Sequence, residues 1–211
     1  MAINQNNILK LLSDMRQSEG ANLLIVTKKQ TVKDINELIE MGFNYFGENR
    51  VQEANEKYLD ILDNKKINLD LIGPLQTNKV KTALTLFDGI QSIDRIKLIN
   101  EIVKIRDRIE TKTKNFFLQV NIGEEPQKSG ALPNDLKTIY DYSQNVELPI
   151  KGLMCIPPND DSSYKYFKKM CTLRDQLNQN LLLSMGMSHD YIAALKCGAN
   201  IIRVGSLIFE E

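Results

Sequence analysis

Three features of this 211-residue chain could do chemistry together, although they stand far apart in it. Lys28 follows the apolar run Leu23-Leu24-Ile25-Val26. A lysine at the end of a buried strand, between apolar walls, loses part of the stability of its ammonium form by desolvation. It then becomes a usable amine for a Schiff base with a carbonyl. Arg203 closes a second apolar run, just before Val204-Gly205-Ser206. A buried guanidinium needs company because an unpaired buried charge is costly. An ion pair inside the fold and a contact with a ligand are both open for it. The third feature is a pair of small-residue turns, Met185-Gly186-Met187-Ser188 and Val204-Gly205-Ser206. Such turns leave backbone N–H groups uncovered, and a helix over residues 188–198 would add its positive end. Together they suit a phosphate. Glycines such as Gly186, Gly198 and Gly205 more commonly serve only tight turns.

The elements that must position these groups follow from hydrophobic patterning. Apolar runs suited to buried parallel strands alternate with amphipathic stretches along the chain. Strands are expected over residues 22–27, 43–47, 68–72, 89–92, 115–121, 149–156, 181–185 and 200–204. Helices are expected over residues 31–41 (stopped by Gly42), 48–62, 77–87, 94–110 (capped by Asp94), 134–143, 162–180 and 188–198. Residues 1–18 read as an amphipathic helix able to cover the end where the last strand lacks a long helix. The pattern is an α/β chain folded as a single-domain (β/α)8 TIM barrel over residues 1–211, with an extra N-terminal helix. A doubly wound open sheet is the fallback. No dinucleotide fingerprint or P-loop follows any strand.

In a barrel, strand ends point into the mouth, and the usual phosphate site lies after strands seven and eight. That is where the two turns fall. Lys28 then faces them from strand one, with Lys29 as an ordinary solvated neighbour. Asn49, after Phe46-Gly47-Glu48, offers a donor and an acceptor at the mouth, and Glu48 suits a helix start. The loop Gly73-Pro74-Leu75-Gln76-Thr77-Asn78-Lys79 either lines a pocket or starts a helix. An amine, a phosphate site and polar groups between them describe a pocket for pyridoxal phosphate.

Composition excludes other classes. Lys+Arg and Asp+Glu balance at 27 each, so no global field favours nucleic acid or an anionic membrane. No apolar run approaches the ~20 residues that span a bilayer. Cys155, Cys171 and Cys197 are odd in number and read as small core residues rather than a disulfide framework. His189 is the sole histidine, which rules out a multi-histidine metal site; it reads as a solvated residue at a helix start. No metal is expected, and a cytoplasmic location is.

Six blocks carry a resemblance to a known family: Ile25-Val26-Thr27-Lys28, Phe46-Gly47-Glu48-Asn49-Arg50-Val51-Gln52-Glu53, Ile72-Gly73-Pro74-Leu75-Gln76-Thr77-Asn78-Lys79, Gly152-Leu153-Met154-Cys155-Ile156-Pro157-Pro158, Leu183-Ser184-Met185-Gly186-Met187-Ser188 and Arg203-Val204-Gly205-Ser206. In this order the chain resembles the pyridoxal phosphate homeostasis proteins, whose barrel is like the N-terminal domain of alanine racemase. The resemblance implies pyridoxal 5'-phosphate bound covalently as a Schiff base to Lys28. It implies that Arg203 faces the pyridine nitrogen, that Ser188, Gly205 and Ser206 hold the phosphate, and that Asn49 lies beside the ring. Lys128 matches a further family lysine near the mouth. Asp70 and Pro74 stand where members often carry histidine, Ser206 replaces a usual threonine, and Ile208-Phe209-Glu210-Glu211 lacks the glycine and arginine that commonly follow.

The function so implied is a carrier or regulator in intracellular cofactor homeostasis and not an enzyme, so no catalytic residue is assigned. An arginine at the ring nitrogen disfavours its protonation and makes the ring a poorer electron sink. Ser206 lies too near the end of the sequence for a second domain to supply a base. A pyridoxal phosphate enzyme such as an amino-acid racemase is the alternative, and a Schiff-base aldolase on a phosphosugar comes third. The expected partners are the cofactor and pyridoxal-phosphate-dependent apo-enzymes, for a chain acting as a monomer.

Overall fold

The computed structural model describes residues 3–16, 18, 20–64, 66–160 and 162–209. Helix α1 (Gln5–Arg16) comes first. The chain then alternates through β1 (Asn22–Val26), α2 (Val32–Glu40), β2 (Tyr45–Glu48), α3 (Val51–Asn64) and β3 (Asn68–Leu71). A 3₁₀ turn (Thr77–Lys79) runs into α4 (Val80–Leu86), followed by β4 (Gly89–Ile93), α5 (Ile96–Arg106), β5 (Asn115–Val120) and α6 (Leu136–Asn145). The remainder is β6 (Ile150–Cys155), α7 (Ser163–Leu177), β7 (Leu182–Ser184), α8 (Tyr191–Lys196), β8 (Ile201–Val204) and α9 (Ser206–Phe209). All strands are parallel and pair in chain order. β8 returns to β1, with Asn22 opposite Ile201 and Ile25 opposite Val204, so the sheet is a closed barrel and not an open one.

Alternation along each strand sorts side chains between two cores. Outward residues such as Ile25, Phe46, Leu71 and Leu118 meet the helices. Leu24, Val26, Ile72, Phe117, Met154 and Ile201, with Tyr45 beside them, fill the lumen. Glycines make room there. A Cβ on Gly152 would strike the Phe117 ring and the Leu182 carbonyl, and one on Gly89 would strike the Asp70 carboxylate. The lumen is therefore packed below its mouth, as a barrel interior must be.

Local signals set several boundaries. Thr31 and Asp34 form a reciprocal capping box at the start of α2. Gly42, at φ +94°, ends that helix. There Gly42 N–H donates to Ile39 O (2.9 Å) and Phe43 N–H to Leu38 O (3.0 Å), the Schellman pattern. α1 buries Ile8, Leu11 and Met15. It is tied to α9 by Asn4 N–H to Ile208 O (2.8 Å) and by Asn7 Nδ2 to Leu207 O (2.9 Å), so it covers the end expected of it. Met1, Ala2 and Gln17, part of the expected helix, lie outside the described residues, as do Glu210 and Glu211.

At three helix starts the side chain expected to open the helix is engaged elsewhere. Glu48 stays in β2 opposite Leu71, and α3 begins three residues later. Asp94 does not cap α5; its carboxylate pairs with the Arg95 guanidinium at 2.5 Å. Ser188 lies in a loop, since Asp190 Oδ1 takes the Met187 N–H (2.6 Å) and α8 starts only at Tyr191. Cys155, Cys171 and Cys197 are free.

Candidate functional site

A cavity of about 520 Å³ opens at the C-terminal ends of the strands, within the range of small-molecule sites. It brings together Lys28, Asn49, Ser188, Arg203, Gly205 and Ser206, and Lys128 and Pro74 line it too. Lys29 and Asp70 do not. His189 lines the mouth rather than merely facing solvent, with its Nε2 3.4 Å from Asp190 Oδ2.

Lys28 is carried on a loop whose backbone is held on both sides. Thr27 Oγ1 donates to Glu48 Oε1 (2.8 Å) and lies 2.7 Å from Tyr58 OH, which is left to act as donor. Lys57 Nζ reaches Thr27 O (2.8 Å), Glu48 Oε1 (2.6 Å) and Glu53 Oε1 (2.9 Å). Beyond Lys28, the Lys29 N–H donates to Glu53 Oε1 (2.7 Å), with Lys29 in the left-handed region at φ 63°. One carboxylate–ammonium cluster on β2 and α3 thus fixes Thr27 and Lys29, and Lys28 projects between them. Burial pushes the Glu48 carboxyl above its ordinary range, against the opposing pull of Lys57. Lys28 itself is exposed, without a hydrogen bond or ion pair to any described residue. Val26, Ile72, Ile156 and Met187 line the same cavity, but they leave the Lys28 side chain open to solvent.

Arg203 is buried at the top of the lumen, where it lines the cavity, and no carboxylate among the described residues pairs with it. Its Nη1 donates to Ser184 Oγ (2.9 Å) and its Nη2 to Cys155 O (2.7 Å). Burial lowers the affinity of the guanidinium for its proton. Ser184 donates onward to Gln91 Oε1 (2.6 Å), and Gln91 Nε2 donates to Asp70 Oδ2 (2.7 Å). The same oxygen takes the Tyr45 OH (2.6 Å). Burial pushes the Asp70 carboxyl up to about 6. Gln119 Nε2 donates to Ser129 O (3.1 Å), whereas its Oε1 is buried with no partner and the residue lines the cavity.

In the loops after β7 and β8, Ser206 Oγ lies 2.9 Å from Ser188 Oγ, which also accepts the Leu207 N–H (3.2 Å). Gly205 packs against β1, where a Cβ would sit 3.1 Å from Val26 O. Gly186, at φ +95°, turns the β7 loop over Ala194, where a side chain would collide. Lys128 Nζ is bound to Glu125 Oε2 (2.6 Å) and Pro157 O (3.0 Å), so its charge is already paired. Ser184, Gln91, Gln119 and the Glu48–Lys57–Glu53 cluster were not singled out from the sequence. Strand parity pointed Ser184, Gln91 and Gln119 inward, but nothing local named their partners.

Fold and mouth define a class: a closed parallel barrel whose strand ends gather a free amine, a buried guanidinium and paired hydroxyls around one cavity. The family described as "Alanine racemase, N-terminal domain" matches residues 3–211. The "Pyridoxal phosphate homeostasis protein" of Pasteurella multocida is 38% identical, covering 97% of this chain and 93% of that protein. The one from Aquifex aeolicus is 39% identical, covering 93% and 89%. The chain belongs to the pyridoxal phosphate homeostasis protein family, within the wider group of alanine racemase N-terminal domains. The structure of PipY from Synechococcus elongatus with pyridoxal phosphate bound matches with a TM-score of 0.84 at 32% identity, covering 97% of this chain and 98% of that one. An alanine racemase of Clostridium difficile shares the fold alone, with a TM-score of 0.71 at 14% identity, and this chain spans 58% of it.

The cluster beside Lys28 yields a stability prediction. Glu48→Ala strips Lys57 and Thr27 of a fully buried partner, so unfolding in urea should show a loss of about 3 kcal/mol. A loss below about 1 kcal/mol would mean that Glu53 and Thr27 O satisfy Lys57 without it.

Proposed function

We propose that this chain binds pyridoxal 5'-phosphate in the cavity at the barrel mouth and serves its homeostasis as an intracellular carrier or regulator, without appreciable turnover. One observation carries most of this assignment: a buried guanidinium without a carboxylate partner, on the floor between an unengaged lysine and a pair of serine hydroxyls. The buried, unpartnered Gln119 Oε1 adds an acceptor that a polar ligand would satisfy, so the residues present suit the cofactor. The names of the relatives and the bound cofactor of PipY point the same way.

When bound, pyridoxal phosphate supplies an aldehyde that condenses with a primary amine. In this proposal Lys28 Nζ is the amine that would take that aldehyde as a Schiff base. The clamp on Thr27 and Lys29 sets where the Lys28 side chain leaves the backbone, and Lys29 does not line the cavity. Ser188, Gly205 and Ser206 hold the phosphate, with charge-assisted hydrogen bonds from the two hydroxyls. Arg203 faces the pyridine nitrogen and opposes its protonation, since like charges would meet. Asn49 lies beside the ring. Among the described residues no helix is long and apolar enough to cross a membrane. Action in the cytoplasm, as a monomer, with apo-enzymes as recipients, completes the proposal.

Loading with pyridoxal phosphate should turn the protein yellow, and Lys28→Ala should abolish the colour. Borohydride reduction followed by peptide mapping should place the pyridoxyl group on Lys28. Its recovery on Lys29, or on no lysine, would sink the assignment.

Replacing both Ser188 and Ser206 with Ala should weaken cofactor binding by roughly 1–3 kcal/mol, the cost of lost hydrogen bonds to a charged group. Titration with unphosphorylated pyridoxal is the control. Equal affinity for the two compounds would show that this wall does not hold phosphate.

Absence of turnover is read most directly as proton abstraction. In deuterated water, NMR of common amino acids incubated with the loaded protein should show no appreciable exchange at Cα. Rapid exchange for any of them would promote the racemase-like alternative over the carrier.

A further inference from the structure

Two opposite charges are buried in the lumen and neither has an ion-pair partner among the described residues: Arg203 is 3% exposed and Asp70 2%. They are joined by a hydrogen-bonded path with a fixed direction. The guanidinium only donates, so Ser184 accepts from it and spends its own proton on Gln91 Oε1. An ionised carboxylate only accepts, so Gln91 turns its NH₂ toward Asp70. The Gln91 amide dipole therefore has its positive end at Asp70 and its negative end, through Ser184, toward Arg203. Aligned dipoles between separated charges stabilise both. Of these four residues only Arg203 lines the cavity.

We propose that Asp70 is the remote counter-charge of Arg203, acting through Gln91 and Ser184, and that its ionisation sets how much positive charge the cavity floor presents to the ring of bound pyridoxal phosphate. The second half of this statement rests on the cofactor assignment above; the first does not.

The groups facing the pair leave Asp70 free to act as the variable member. Tyr45 packs on Asp70 from β2, with Asp88 ahead of β4 and Lys112 ahead of β5 further away. Cys155, Asp190 and Tyr45 surround Arg203. Burial pushes the Tyr45 phenol up, with the Asp70 charge adding to it, and pushes the Cys155 thiol up to about 12. Both stay neutral at physiological pH. The Asp70 carboxyl, pushed up to about 6, loses its proton in the range where a cell operates. Below that point the Asp70 charge no longer offsets Arg203, beside which Asp190 still stands; above it, the Asp70 charge is restored. A protonated ring or imine is accordingly favoured above the midpoint and disfavoured below it.

The test uses the full chain with His189→Asn throughout, which removes the sole histidine from the same pH range. In the cofactor-free protein, the guanidinium ¹⁵N resonances of Arg203 should move with a midpoint near pH 6. Asp70→Asn, which keeps an acceptor for Gln91 and Tyr45, should abolish the step, and Ser184→Ala should shrink it. In the loaded protein the visible band should step at the same midpoint. Asp70→Asn should hold it in the low-pH form, with the chromophore's proton affinity reduced about tenfold. Guanidinium resonances that titrate unchanged in Asp70→Asn overturn the proposal, as does a visible step that survives it. Should Asp70→Asn fail to fold, an undiminished step in Ser184→Ala overturns it alone. A normal Arg203 step in a protein that takes up no pyridoxal phosphate would refute the cofactor assignment and leave the pairing with Asp70 established.

Discussion

Closing eight parallel strands forces every inward side chain to share one narrow lumen, where water cannot satisfy a polar group. Leu24, Phe117, Met154 and Ile201 fill part of that space with hydrocarbon. The polar residues that remain must satisfy one another, and across strands Tyr45, Asp70, Gln91, Ser184 and Arg203 do so. Gly89 is required by this arrangement, because Asp70 occupies the volume its side chain would take. The guanidinium at the top of the lumen is thus fixed from below, by contacts that leave its upper side to the cavity.

The opposite solution holds Lys28. Its side chain is left without partners, while its neighbours are pinned from outside the barrel by Glu48, Glu53 and Lys57. Packing of α3 on β2 brings these charges together, and Tyr58 of α3 closes the cluster over Thr27. A flexible lysine on a fixed loop keeps its reach without losing its aim. Side-chain freedom of the amine and rigidity of the backbone beneath it are therefore both properties of the outer layer, independent of the polar path in the lumen.

Much of this was legible in the sequence where signals are local. The apolar runs gave all eight strands, Gly42 stopped α2 as expected, and the strand ends placed Lys28, Arg203, Gly205 and Ser206 around one mouth. Errors came where a residue's best partner is distant. Glu48 resembles a helix-start charge until Lys57, nine residues later, draws it into the sheet. Ser188 is expected to open a helix, whereas Asp190 Oδ1 binds the Met187 N–H and α8 starts only at Tyr191. For Arg203 an ion pair and a ligand contact are both open, and its partners, a hydroxyl from β7 and a carbonyl from β6, lie too far along the chain to be read locally. Gln91 is 93 residues from Ser184, and no local pattern announces that bond.

Separation of Asp70 from Arg203 has a physical logic that a direct ion pair would lack. A carboxylate in contact with the guanidinium would occupy its donors and turn the charge away from the cavity. Placed beyond Gln91 and Ser184, the carboxylate offsets part of the burial cost while the guanidinium remains positive where it faces the mouth. The cost that is not offset appears in Asp70 itself, whose carboxyl is pushed up to about 6 because it is desolvated without a cation at hand. Folded, Asp70 keeps its proton to higher pH than it would in the unfolded chain. Its contribution to stability is consequently greatest below about pH 4 and declines until about pH 6, the opposite sense from a salt-bridged carboxylate. The barrel accepts that penalty at neutral pH, and in return no paired acid stands between the guanidinium and the cavity.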